Sequence, residues 1–283
     1  MDPFMGKGLD KIIEGAADGP ITTLNKTWEL IFGGYHNYVD KIQFRRDLNL
    51  QLLKDDIQRD VESIPQKNLQ EPKLSIIGPA LESAKFYIEE EEIREMFSKL
   101  ISSAMDDRKN IYAHHSFVEI IKQLSPSDAI LLKHLYKLEV IPSGEYKAIT
   151  TTEGDHIKIS STLISDSPLD IQQTELSLSN LNRVGLVNIK SGDEHYSNDK
   201  LYEPFYTGTL IEYFSIKTNE LKFSHRSDLY TRLRYFSIDE LTYGHDRTSE
   251  DILNHLVPYC VDISKGRIDL SPLGKAFKET CIK

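Results

Sequence analysis

The sequence predicts a mainly α protein in which a helical N-terminal half is joined to a winged-helix-like α+β C-terminal half. Three observations carry this expectation. From Leu9 to about Met105 the apolar residues recur at steps of three and four, the helical period. From Ile141 onward β-branched and turn residues become frequent, with Thr150, Thr151, Thr152, Ile157 and Ile159 among them. The later elements then read as helices, a strand, a hairpin and a last helix, the order of a winged-helix variant of the helix-turn-helix class.

Each element has its own signal. Leu9, Ile12, Ile13 and Ala16 mark a first helical piece, and Gly19 with Pro20 restarts the chain into Ile21, Leu24, Trp28 and Ile31 before Gly33 and Gly34 bend it. Val39, Ile42, Leu50, Leu53 and Ile57 form one stripe of a long helix from Tyr35 to Ser63, stopped by Pro65. Pro65, Pro72 and Pro79 make residues 65–77 an extended connector, and Gly78 with Pro79 is expected to open the next helix. The core face of that helix is Leu81, Ala84, Ile88, Met96, Phe97, Leu100, Ile101 and Ala104. The four acids Glu89 to Glu92 describe a solvated face or a corner between helices more readily than a cation site. Phe117, Ile120, Ile121 and Leu124 follow, and Ser125 caps a helix that has Pro126 at its first position and Asp128 in its first turn.

Residues 141–163 read as a hairpin or irregular insertion, and residues 169–182 hold two helical pieces ended by Gly185. Leu186 to Lys190 is a strand. Val261 to Ile263 and Arg267 to Leu270 flank Ser264, Lys265 and Gly266 as a short hairpin would, and a terminal helix starts after Pro272. The domains expected are 5–124, helical, and 125–283, winged-helix-like with an insertion near 214–259. Residues 1–4 read as a cloning remnant ahead of a native start at Met5.

Composition bounds the function. The 283 residues allow one large domain or two ordinary ones. A formal charge of −10 gives no long-range attraction for phosphate backbones or anionic lipid, so a nucleic-acid site must be a local patch. The two cysteines, Cys260 and Cys281, supply neither a disulfide framework nor a zinc quartet, and both read as inert thiols. Asp10, Lys11, Glu14 and Asp18 interrupt any secretory h-region, and the longest runs without charge are ten residues. The expected location is therefore the cytoplasm, with no transmembrane segment.

Four stretches resemble the Abi-alpha family. The first is Ile64, Pro65, Gln66, Lys67, Asn68, Leu69, Gln70, Glu71 and Pro72, continuing at Ile77, Gly78, Pro79, Ala80 and Leu81. The second is Tyr87 and Ile88, the acids Glu89 to Glu92, then Arg94, Glu95, Met96, Phe97, Lys99 and Leu100. The third runs from Ser116 to Pro126, and the fourth is the closing segment Leu270 to Phe277. The family is named for abortive infection, in which an infected bacterium stops growing or dies before phage can spread. The resemblance thus implies an antiphage role; it brings no catalytic motif to place on these residues.

The chain has no GxxxxGK[ST] loop, no HExxH pair, no GxSxG elbow and no CxxC. His114 and His115 beside Asp106 and Asp107 could be assembled into a metal or general-base site, although adjacent histidines usually point apart. Neither catalysis nor a cofactor is expected. The helix around Thr174 to Asn182 has no base before Arg183, which is poor for a duplex. The most basic stretch is Lys222 to Arg234, where Lys222, Arg226, Arg232 and Arg234 alternate with Phe223, Tyr230, Tyr235 and Phe236; such aromatics can stack on unpaired bases or pack inside. The sole tryptophan sits in an apolar segment, and Trp28, Phe32, Tyr35 and Tyr38 form the candidate interaction surface, for a second copy or for a phage or host protein. The leading expectation is a non-enzymatic antiphage sensor or effector. A nucleic-acid-binding regulator comes second and an enzyme with an unrecognised site third.

Overall fold

A computed structural model of the chain describes residues 18–32, 40–87, 89–149, 156–232 and 260–283, without the side chains of 18, 40–47 and 225–232. They fall into two compact units. One takes the described residues of Met1–Tyr136, Arg183–Leu186 and Leu270–Lys283, and the other those of Lys137–Asn182 and Val187–Asp269.

The first unit is helical: α1 (Asp18–Phe32), α2 (Asp40–Glu62), α3 (Leu74–Ala84), α4 (Glu91–Ala104), α5 (Ser116–Ile121), α6 (Pro126–Leu135) and, after the second unit, α9 (Pro272–Phe277) with a π turn (Lys278–Ile282). Its centre is α4, which packs on α2, α3, α5, α6 and the π turn. The reason is the density of its apolar face: Ile93, Met96, Phe97, Leu100, Ile101 and Ala104 are all fully buried. Each of the larger ones is worth about 1.5–3 kcal/mol. Glu91 and Glu92 sit in the first turn of α4, where acids favour the helix dipole, so the acidic run is a corner between α3 and α4. Ser125 opens α6 with a capping box: its hydroxyl accepts from Asp128 N at 3.2 Å while Asp128 Oδ2 accepts from Ser125 N at 2.8 Å. Ser271 caps α9 with its side chain alone, accepting from Gly274 N at 2.8 Å.

Two expectations fail here. Gly78 and Pro79 do not open a helix; they lie inside α3, which begins at Leu74. Internal glycine and proline cost about 1 and 3 kcal/mol against alanine. Ile76, Ile77 and Leu81, fully buried, return more than that at about 1.5–3 kcal/mol each. Pro79 has no N–H for the carbonyl of Ser75, and His115 Nδ1–H donates to that carbonyl instead, at 3.4 Å. Helix α3 ends at Ala84 and α4 starts at Glu91, so the acids lie at a corner between helices, one of the two readings the sequence allowed. The connector is extended only as far as Lys73, with a 3₁₀ turn at Gln66–Asn68 and a bridge from Leu69 to Asp106.

The second unit holds β1 (Pro142–Ile149), β2 (His156–Lys158), α7 (Ile171–Arg183), β3 (Val187–Ser191), α8 (Gly208–Arg232) and β4 (Cys260–Leu270), with a 3₁₀ segment at Asp199–Tyr206. The sheet order is β2-β1-β4-β3, and β1 pairs antiparallel with both β2 and β4. The core is aromatic: Tyr146, Tyr202, Phe205 and Phe214 are buried, and Tyr146 stacks on Phe214 at 4.2 Å. Their polar ends are satisfied. Tyr146 Oη donates to the Phe205 carbonyl at 2.5 Å and Tyr202 Oη to that of Gly266 at 2.8 Å.

The hairpin expected between Val261 and Leu270 is instead one continuous strand, β4. Gly266 pairs with Ser143 rather than turning the chain. A side chain at that position would fall inside van der Waals distance of the Lys190 carbonyl, so glycine serves close backbone approach. The two helical pieces expected near 169–182 are one helix, α7, ended by Gly185 at φ +78. Of the insertion at 214–259, residues up to Arg232 continue α8 and the remainder lies outside the described residues. The expected helical piece at residues 9–16 and the start of the long helix before Asp40 lie outside them too. The molecule is mainly α with a small antiparallel sheet in its C-terminal half.

Candidate functional site

Helix α1 buries Ile21, Leu24 and Phe32 and packs on α3. Phe32 is 6% exposed, so it belongs to the core; Trp28 is half-buried with its ring centroid 4.4 Å from that of Phe32. The apolar residue that faces outward is Leu30, 84% exposed, beside the exposed Lys26 and Glu29. Tyr35 and Tyr38 lie outside the described residues.

On α8, Lys222 is half-buried and Phe223 is 79% exposed. Arg226 and Arg232 belong to the same helix with side chains that are not described, and Arg234 lies outside the described residues. The exposed face of α7 carries Gln172, Gln173, Leu176, Ser179 and Asn182, with Arg183 as its one base.

The structure spends the His114 and Asp106 groups on local bonds. His114 Nδ1 lies 2.7 Å from Ser116 Oγ, and the two histidine rings stand 6.4 Å apart, edge to face. Asp106 accepts from Arg108 Nε at 2.8 Å, from its Nη2 at 2.6 Å and from its backbone N at 3.0 Å. Those hydrogen bonds hold the Asp106 carboxyl below the ordinary carboxylate value against a smaller opposing effect of burial. Asp107 accepts from Asn68 Nδ2 at 2.8 Å, which ties this turn to the Gln66–Asn68 segment. Among the described residues no three His, Cys, Asp or Glu side chains are grouped to hold a metal ion.

A cluster that sequence reasoning missed joins α2 to α4. Asp56 and Asp60 are 8% and 5% exposed, one turn apart on the same face as Leu53, Ile57 and Val61. Arg94 Nε donates to Asp56 Oδ2 at 2.8 Å, and Arg59 Nη1 approaches Asp56 Oδ1 at 2.9 Å. Ser98 Oγ donates to Asp60 Oδ2 at 2.7 Å and Lys99 Nζ to Asp60 Oδ1 at 2.9 Å. Every carboxylate oxygen therefore has a partner. The available signal was a pair of acids four apart inside an apolar stripe, matched by Arg94 and Ser98 four apart on the facing helix.

A second unpredicted feature is a cavity of about 420 Å³ in the second unit. Leu163 to Ser165 and Ser167, then Leu169 and Asp170 ahead of α7, Ile171, Gln172 and Thr174 of α7, and Thr209, Leu210 and Tyr213 of α8 line it.

No curated protein and no solved structure matches the chain. The sequence profile of the abortive infection alpha family matches residues 45–281. That span takes in α2 from residue 45 onward, the proline-rich connector, the acidic corner ahead of α4, the α2–α4 charge cluster and the capped closing helix α9. The chain belongs to the abortive infection alpha family.

Proposed function

We propose that the protein is a cytoplasmic antiphage defence protein of the abortive-infection type, acting without catalysis by engaging a protein partner. Family membership carries the defence role. The absence of catalysis is favoured by how the buried acids are used. A general acid or base needs a carboxylate poised for proton transfer, whereas Asp56 and Asp60 have all four oxygens committed to Arg94, Arg59, Ser98 and Lys99. The partner is a phage or host protein, or a second copy of the chain, and the outward face of α1 at Leu30, Lys26 and Glu29 forms its contact. Leu30, 84% exposed while Ile21, Leu24 and Phe32 of the same helix are buried, supports that placement. Leu30→Glu should leave the melting temperature unchanged and abolish phage protection. Full protection by a folded Leu30→Glu protein would remove α1 from the mechanism.

The second unit is winged-helix-like in this reading. In its support, α7 leads through Gly185 directly into β3, and the last strand, β4, lies between β3 and β1. The amide-rich face of α7 favours a role other than duplex reading, and selection from random DNA should return no nanomolar operator. A second reading, single-strand binding along α8, draws on Phe223, 79% exposed beside Lys222. Charge reversal at Arg226, Arg232 and Arg234 should then abolish single-strand binding and its salt dependence.

A further inference from the structure

We propose that the cavity between the starts of α7 and α8 binds an uncharged or singly cationic heteroaromatic molecule of nucleoside size. All of its walls belong to the second unit. Its volume, about 420 Å³, lies in the range of small-molecule sites.

The lining sets the class of ligand. Among the described residues Asp170 is the one carboxylate in the walls, and no Lys, Arg or His lines them. An anionic ligand would meet a carboxylate with no balancing cation. A neutral or cationic one gains an acceptor. Asp170 Oδ1 already caps α7 by accepting from Gln173 N at 2.8 Å, which fixes the carboxylate in place and uses only part of its acceptor capacity. Ser165, Gln172, Thr209 and Tyr213 add side-chain donors and acceptors, while the hydroxyls of Ser167 and Thr174 satisfy each other at 2.6 Å. Leu163, Ile164, Leu169, Ile171 and Leu210 supply an apolar floor for a ring.

Tyr213 provides the stacking surface. Its ring stands edge-on to Phe214 at 5.0 Å, and Phe214 is itself stacked on Tyr146 in the core. The tyrosine is thus held from behind while it stays 42% exposed.

Adenosine and cytidine are suitable probes, with adenosine monophosphate as the charged comparison, measured on the full chain by ligand-observed NMR and calorimetry. Asp170→Asn keeps the helix cap, since asparagine caps as well as aspartate, and removes only the charge. Tyr213→Leu keeps apolar volume and removes the ring. At least one nucleoside should bind, with the monophosphate weaker. Each substitution should weaken nucleoside binding about tenfold in a protein of unchanged melting temperature. The proposal is overturned if neither nucleoside binds at millimolar concentration, if the monophosphate binds as tightly, or if both variants bind like the parent.

Discussion

Arg94 and Asp56 show how little a residue-by-residue reading reveals of a buried pair. Both sit on stretches whose apolar period was legible, and Arg94 lies in a block that carries the family resemblance. What made them a pair was the approach of α2 to α4, which no local pattern encodes. Arg94→Met should lower stability by about 3 kcal/mol, at the lower end for a broken buried pair because Arg59 still reaches Asp56. Combining it with Asp56→Leu should recover part of the loss, as chemical denaturation can check. Asp106 gives a pH-dependent counterpart. Its folded value is depressed, so its contribution is complete above the unfolded value near 4 and is lost as pH falls through the lower folded value. Asp106→Asn should accordingly be less stable than the parent at pH 6, with the difference shrinking towards pH 2. The cysteines separate by burial. Cys281 is fully enclosed and its thiol is pushed up to about 12, while Cys260 is exposed. A thiol reagent at pH 8 should modify Cys260 alone in the folded protein and both after denaturation, as intact-mass analysis would show.

Most helices could be read from the sequence because their apolar residues repeat at the helical period and their ends carry strong signals. Ser125-Pro126-Asp128 caps α6 where the spacing said it would, and the last helix begins at Pro272 as the sequence led one to expect. The reading failed where tertiary contacts outweigh local preference. Gly78 and Pro79 look like a boundary, yet three buried aliphatic side chains carry α3 through them. Gly266 looks like a turn, yet it marks a strand that approaches its neighbour too closely for any side chain. The same physics yields a test at this scale. If His115 supplies the donor that Pro79 lacks, His115→Ala should cost about 0.5–1 kcal/mol in the parent and close to nothing in a Pro79→Ala background. Equal losses in both backgrounds would mean that the imidazole contributes through something other than the Ser75 carbonyl. Gly274→Ala should be more damaging, because a Cβ there meets the backbone of Leu186; a loss of about 1–3 kcal/mol is expected.

For the whole molecule, the sequence carried the class and the family further than it carried the site. The blocks that resemble the family are mainly those that build the helical unit: the connector, the acidic corner, the third block through α5 and the capped tail. They are legible because each depends on contiguous residues. The cavity of the second unit was not legible, since its walls come from residues about 35–50 positions apart that only the packing of α7 near α8 brings together. The outward leucine of α1 was missed for a related reason: on an apolar helix, burial decides which residue faces out, and Phe32 lost that place to Leu30. The central claim concerns defence, and the most direct measurement is phage challenge of a sensitive bacterial host with and without the chain, scoring plaque number and survival of the infected cells. The account predicts a fall in plaque number of an order of magnitude or more together with death or arrest of infected cells, and loss of both effects in Leu30→Glu. Unchanged plaque numbers at confirmed expression, or protection in which infected cells survive and divide, would contradict it.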